Sequence, residues 1–345
     1  MEKYSKVIRG IVTAKTSISH GRIPAEEEKK SNLLEFHTSP LLYEEDGAIH
    51  EIDLPTISGN AMRGLGRRLL FHHSFEDVLG INFDEILSGY TEKERRYVVN
   101  LFENGGSNPK GSHPSGSVRG EVYDEVLADI PMLDLLGGSY VAHHFDGAAI
   151  IGHLIPRTKE TQELLGSDAI VTDEPLMSVK DLHVEVNRNT KMRSNRDYSM
   201  YTLDSVETEE EKAEIKNSAI YGAEFLPAGT KFFWRCALCD TPNKGTLLAF
   251  NAIIALIVKH GHVGGMMKKE HGRVEYSLED FDADASIAEF DDYLRKHRDD
   301  VIRGIKLLAG NFKYSLKSDR DKKEAAEKAK KSAKKGKGDK DVGKD

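Results

Sequence analysis

From Val7 to Ser19 (VIRGIVTAKTSIS) apolar and polar residues alternate in a stretch rich in Val, Ile and Thr, and the period of two predicts a strand. A long loop from Gly21 to Tyr43 follows, with a charge run at Glu26 to Lys30, and His50 to Leu54 predicts a second short extended piece. At Ser58 the period changes. At about 100° per residue Met62, Leu65 and Leu69 share one stripe, which predicts a helix to about His73 with that stripe toward the core. Helical periodicity continues from Phe75 to Phe102, and the Gly, Ser and Pro of ENGGSNPKGSHPSGSVRG (Glu103 to Gly120) predict a loop. Pro131 to Leu136 reads as a short helical turn closed by Gly137 and Gly138, and Gly147 to Ile155 (GAAIIGHLI) as a buried strand. Pro156 to Ala219 is polar and without apolar period, an excursion from the core. Tyr221 to Leu238 predicts two strands around Pro227-Ala228-Gly229. A buried helix (Leu247 to Lys259), a glycine-containing loop (Gly261 to Gly272), a strand (Arg273 to Leu278) and an amphipathic helix (Phe290 to Leu308) complete the series.

The order strand, helix, strand, strand, helix, strand predicts an α+β fold of the ferredoxin-like type, interrupted by large polar insertions. Composition narrows the class. The longest apolar run, Leu247 to Val258, is broken by Asn251 and too short to span a bilayer, and the N-terminus has no signal-peptide block. Cys236 and Cys239 are the only cysteines, so no disulfide framework forms. These features predict a soluble, cytoplasmic protein without a membrane partner. The net charge of −8 is uneven: Leu316 to Asp345 holds 12 Lys or Arg against 7 Asp or Glu, which leaves −13 for the rest. A nucleic-acid binder this acidic must concentrate its basic residues on one surface, because phosphate neutralisation is local.

Two segments carry candidate chemistry. In LPTISGNAMRGLGRRLLFHH (Leu54 to His73), Ser58 is a good N-cap and Gly59 permits close backbone approach. The helix start favours an anion, and Arg63 and Arg67, four apart, would stack beside it as a phosphate clamp. The same residues also suit a capped surface helix with solvated arginines. In HGHVGGMMKKEHGRVEY (His260 to Tyr276), Gly264 and Gly265 allow close approach while Lys268, Lys269 and Arg273 add charge, either as a phosphate cradle or as a flexible turn. Cys236 and Cys239 sit at i and i+3 of a predicted strand, on opposite faces, so they predict no metal site. The 14 histidines show no ligand spacing, and Phe232, Phe233 and Trp234 read as core. No Walker loop, nucleophile elbow or dinucleotide fingerprint is present.

The order of these pieces resembles the RAMP superfamily of CRISPR-associated proteins. The pieces are PTISGNAMRG with its arginine helix, IPMLDLLGG leading into GAAIIGHLIP, then EFLPAGTKFFWRCAL and GHVGGMMKKEHGRV. Within the superfamily they resemble the backbone subunit, the seventh Cas family, which polymerises along guide RNA. The resemblance runs from about Val7 to Leu278, and SGNAMRG is most similar to type IV effector backbones. It implies a ferredoxin-like (RRM-like) palm in three parts, 1–75, 137–156 and 220–315. Between them lie a helical or lid insertion (76–136) and a thumb-like insertion (157–219), and a disordered basic tail (316–345) follows.

On the matching positions it also implies that Ser58, Asn60, Arg63 and Arg67 hold guide-RNA backbone. Gly264, Gly265, Lys268 and Lys269 add to this from the glycine loop, and Arg188, Lys191, Arg193 and Arg196 from the thumb (VNRNTKMRSNRDY). The implied partners are guide RNA, a complementary target nucleic acid, further copies in a helical filament and other CRISPR effector subunits, with no cofactor and no metal. Type III relatives place a catalytic Asp in the loop before the arginine helix. Here the first Asp is Asp46, and the loop offers Glu26, Glu27, Glu28 and Glu35, with His37 two residues beyond. The expectation is a non-catalytic subunit. Two rivals are an endoribonuclease of the same superfamily and an unrelated enzyme that binds a phosphorylated small molecule.

Overall fold

The alternating segment forms β1 (Tyr4–Ala14) in the computed structural model, which describes residues 4–21, 33–107, 112–114, 118–182, 184–190, 220–239 and 243–316. Next comes a hairpin, β2 (Thr38–Glu45) and β3 (Ala48–Pro55), closed by Asp46 and Gly47 with φ of 51° and 75°. Both values are left-handed, which is the two-residue turn whose twist matches paired strands. The end of the expected loop from Gly21 to Tyr43 is therefore a strand from Thr38 onward, and residues 22–32 of that loop lie outside the described residues. One face of the hairpin buries Leu41 and Leu54 against Val179; the other exposes Leu42 and Ile49 among Glu44, Glu51 and Asp53.

Helix α1 (Gly59–Phe71) runs on into a wider π-helical turn at His72–Val78. The insertion after it contains α2 (Glu92–Asn104), α3 (Gly120–Asp129), α4 (Pro131–Leu136) and a small hairpin, β4 (Gly138–Tyr140) and β5 (His143–Phe145). The helix α2 starts at Thr91 with a capping box to Glu94, and Phe71, Phe75, Phe83 and Phe102 pack ring against ring beneath it. The chain returns through β6 (Ala149–Ile151) and β7 (Ile155–Pro156).

The excursion opens with α5 (Lys159–Leu165), and β8 (Glu185–Thr190) pairs with β9 (Ile220–Phe225). Then come β10 (Lys231–Cys239), α6 (Lys244–His260), β11 (Val274–Leu278), α7 (Ala283–Lys296) and α8 (Arg298–Asn311). Where one amphipathic helix was expected from Phe290 to Leu308, the backbone leaves the helical region at His297 (φ −110°, ψ 21°), and two helices meet there. The expected basic tail begins inside a short strand, Tyr314–Leu316, paired with Ser112–Pro114; residues 317–345 lie outside the described residues.

The main sheet is antiparallel throughout in the order β7, β10, β1, β11, with β6 also on β10. The chain thus passes from β1 through α1 to β6 and β7, and from β10 through α6 to β11. Alternate residues of the central strands (Ile8, Val12 and Ala14; Phe232, Trp234 and Cys236) join Met62 and Leu70 of α1 and Phe250, Ile253 and Ile257 of α6 in one core. The opposite face of the sheet carries Arg9, Phe233 and Arg235. Leu165 and Ile170 of the excursion lie over it and line, with those residues, a cavity of about 270 Å³. The first part of the excursion therefore packs back on the sheet, and buried Arg157 donates to Glu174 at 3.1 Å.

Candidate nucleic-acid interface

Ser58 caps α1 as its sequence predicts: its backbone is extended (φ −64°, ψ 141°) and its Oγ accepts from the Ala61 N–H at 3.2 Å. Gly59 is required here, because a Cβ would lie 2.4 Å from the Ile151 carbonyl oxygen. Asn60 is exposed. The Ser58 N–H donates to Nε2 of His20 at 3.2 Å. An amide can only donate, so that nitrogen is the unprotonated one and Nδ1 carries the proton. Burial, with His37 and His153 nearby, pushes the His20 pKa down to about 4.

The His37 ring lies 5.3 Å from that of His20, and its Nδ1 is 3.3 Å from the Thr56 hydroxyl, which in turn meets Ser39 Oγ at 2.9 Å. His153 is exposed, its ring beside Gly59, and burial together with His37 lowers its pKa too. Three imidazoles from three separate segments thus gather at the start of α1. Sequence spacing cannot show this, because the residues are 17 and more than 100 positions apart.

The glycine loop joins the same place. The Gly265 N–H donates to the Ser19 carbonyl at 2.7 Å, and Gly272 N–H to Ser17 at 2.9 Å. Gly264 has φ +77° and lies so close that a Cβ would sit 2.3 Å from the Ser19 oxygen. Ser17 Oγ also meets His271 Nδ1 at 2.8 Å. Beyond the strap, Met267–Lys269 makes one 3₁₀ turn with Lys268 and Lys269 exposed. Residues 17–20 therefore tie the helix start, with Ser58 and Asn60, to the loop that holds Gly264, Gly265, Lys268 and Lys269.

Arg63 and Arg67 take a different place from the expected one. They stack one turn apart, but inward. Arg63 Nη1 donates to Ala149 O at 3.0 Å, and its Nη2 to Leu136 O. Arg67 donates to Gly137 O at 3.0 Å, Leu136 O at 2.8 Å and Leu101 O at 3.4 Å. Leu101 lies in the last turn of α2, Leu136 ends α4 and Gly137 is its C-cap, so the guanidiniums sit at helix C-terminal ends, where the dipole is negative; the Leu101 carbonyl also accepts the Gly105 N–H at 3.0 Å.

Burial, and the neighbouring Arg63, push the Arg67 pKa down to about 10, and burial lowers that of Arg63. The buried face of α1 is Gly59, Met62, Gly66, Arg67 and Leu70, one position round from the expected stripe, while Leu65 and Leu69 are half-buried. The cause is Gly66, where a Cβ would meet Ile253 and Ile257 of α6 at 2.7 to 2.9 Å. A glycine at a helix contact adds nothing to an apolar pattern. The exposed arginine of this helix is Arg68.

Arg188 lies in β8, opposite Gly222 of β9. Lys191, Arg193 and Arg196 lie outside the described residues. Cys236 is buried, its thiol pushed up to about 12, and no group of three His, Cys, Asp or Glu suited to a metal occurs among the described residues. None of the described helices is long and apolar enough to cross a membrane. No family model matches this sequence, and no curated protein matches it. Among solved structures, the chain is similar in fold to one from a "Type IV-B CRISPR Complex", with a TM-score of 0.50 and 19% identity over 80% of this chain and 91% of that one.

Proposed function

We propose that this chain is a guide-RNA-binding backbone subunit of a type IV CRISPR effector complex, and that it is not itself a nuclease. One observation carries the reading: the helix start and the glycine loop, far apart in sequence, are strapped together by residues 17–20, on a fold shared with a chain of a type IV-B complex. The main sheet, in the order β7, β10, β1, β11 with helical crossovers on one face, is then the ferredoxin-like palm of such a subunit. Ser58, Asn60, Gly264 and Gly265 offer hydroxyl, amide and backbone groups to the RNA chain, and Lys268 and Lys269 supply charge. Arg188, Lys191, Arg193 and Arg196 extend the contact from the excursion. These groups read phosphate and ribose irrespective of sequence, and base pairing between guide and target supplies specificity.

Copies add side by side along the guide as a heterologous, open array, and other effector subunits complete the particle. The test is co-expression with a guide RNA. The particle should carry absorbance at 260 nm and elute with a mass that grows with guide length. An RNA-free monomer under those conditions would overturn the reading. Incubated with complementary RNA and a divalent metal, the particle should leave the target intact. Evenly spaced products that vanish on Glu35→Ala would make it a nuclease instead.

A further inference from the structure

We infer that His20, His37 and His153 together form a subsite for an RNA phosphodiester, and that the subsite takes up protons as the phosphate enters. The inference rests on the RNA-binding reading above and adds the residues and their linkage to pH. The ion-paired histidines among the described residues are His72 with Glu76, His73 with Asp291 and His297 with Asp300. The three at the start of α1 have no such carboxylate among the described residues. Their partners are neutral: the Ser58 amide on His20 and the Thr56 hydroxyl, backed by Ser39, on His37. His20 and His37 face each other at 5.3 Å between ring centres, and the neighbouring His37 raises the cost of a proton on His20.

The groups around them from each packed element are few. The tail of β1 brings Ser17, with His271, and Ser19. The segment before the hairpin brings Glu35 and Phe36, whose N–H is taken by Glu224 at 2.6 Å. The helix start brings Ser58 and Asn60, and the cavity beside His153 brings Arg9, Asp168 and Arg235. With no carboxylate in an ion pair with them among the described residues, these rings are open to an anion from outside. A phosphodiester supplies that charge and raises the proton affinity of the rings it meets, and by reciprocity protonation strengthens its binding. The positive end of α1 favours the same ligand.

The test measures affinity of the full-length protein for a short single-stranded RNA from pH 5 to 8 at fixed salt. Calorimetry at pH 6 in two buffers of different ionisation heat reads the protons taken up. Affinity should rise as pH falls, by about tenfold per pH unit for each proton bound. His153→Gln, at an exposed position, and His37→Gln should each flatten that slope, with the loss of affinity larger at pH 5 than at pH 8. An unchanged slope in both variants, or no proton uptake in the wild type, would overturn the inference and leave RNA binding itself standing. Failure to bind RNA at any pH would sink both readings. Displacement of the RNA by inorganic phosphate at equal ionic strength would make the cluster a free-phosphate site and so overturn the assignment to RNA.

Discussion

The guanidinium of Arg67 donates to the carbonyl of Leu136 at 2.8 Å, and this bond turns a residue that looks like a phosphate ligand into an internal clamp. Arg67 is only 8% exposed and binds three carbonyls drawn from the ends of two helices. Arg67→Ala should lower unfolding free energy by about 2 kcal/mol: the bond to Gly137 O, roughly 1.5–3 for a charged donor, is lost outright, whereas Leu136 O keeps Arg63 and Leu101 O keeps the Gly105 N–H. Urea denaturation reads this. The salt dependence of RNA binding should not move; a flatter slope without loss of stability would return the arginine to the RNA.

Lys268 and Lys269, exposed on their 3₁₀ turn, are where that slope should change. Each Lys→Ala should reduce the log–log salt slope by about 0.7, the share of one phosphate contact on a single strand. Melting temperature should stay the same. Equal slopes in wild type and double variant would remove the loop from the interface.

Gly264→Ala separates the strap from the surface it holds. A left-handed φ costs a residue with a Cβ about 1–2 kcal/mol, and the methyl meets the Ser19 oxygen. We expect a modest loss of stability and a larger loss of RNA affinity, because the strap to residues 17–20 opens. Thermal melts and binding on the same sample check the pair. Full affinity with a weakened fold would show that the strap does not position the site.

Stability should fall as pH is lowered from 6.5 to 4. His20 in the folded chain resists its proton down to about 4, whereas the unfolded ring takes it near 6.5, so the unfolded state binds more protons in that window. The slope is at most one proton's worth from this residue, about 1.4 kcal/mol per pH unit, and less after solvent screening. His153 and His260, both lowered by burial, act in the same direction. In His20→Gln the slope measured by denaturant titration at pH 7, 6 and 5 should shrink; an undiminished slope would place the titration elsewhere.

Much of the main sheet, and α4 in the insertion, was legible because the periods were clean: α4, β10, α6 and β11 lie where alternation, Pro131 or apolar runs put them, while β1 runs from Tyr4 and ends at Ala14, five residues short of the alternating stretch. The hairpin of β2 and β3 was not. Only one of its faces is buried, and over just Leu41 and Leu54, so its pattern reads as polar although Asp46-Gly47 is a hairpin signal. In the site, the cap at Ser58 and the two loop glycines were read from residue type alone. The direction of Arg63 and Arg67 was hidden by Gly66, which sets the helix contact without an apolar side chain. The histidine cluster was hidden because it exists only once three distant segments meet.

The reach of Arg67 also sets a timetable for synthesis. Gly137 follows it by 70 residues, about 4 to 14 s at ribosomal rates of roughly 5–20 residues per second. Through that interval the guanidinium lacks two of its three carbonyls, those of Leu136 and Gly137, and keeps water in their place, so the back of α1 stays wet, and Phe75 waits for Phe102 to cover it. β1 waits longer still, because both of its sheet neighbours, β10 and β11, come from the last third of the chain. Nascent chains stalled before residue 136 should therefore be protease-sensitive and chaperone-bound, and protection should appear late and all at once rather than half by half.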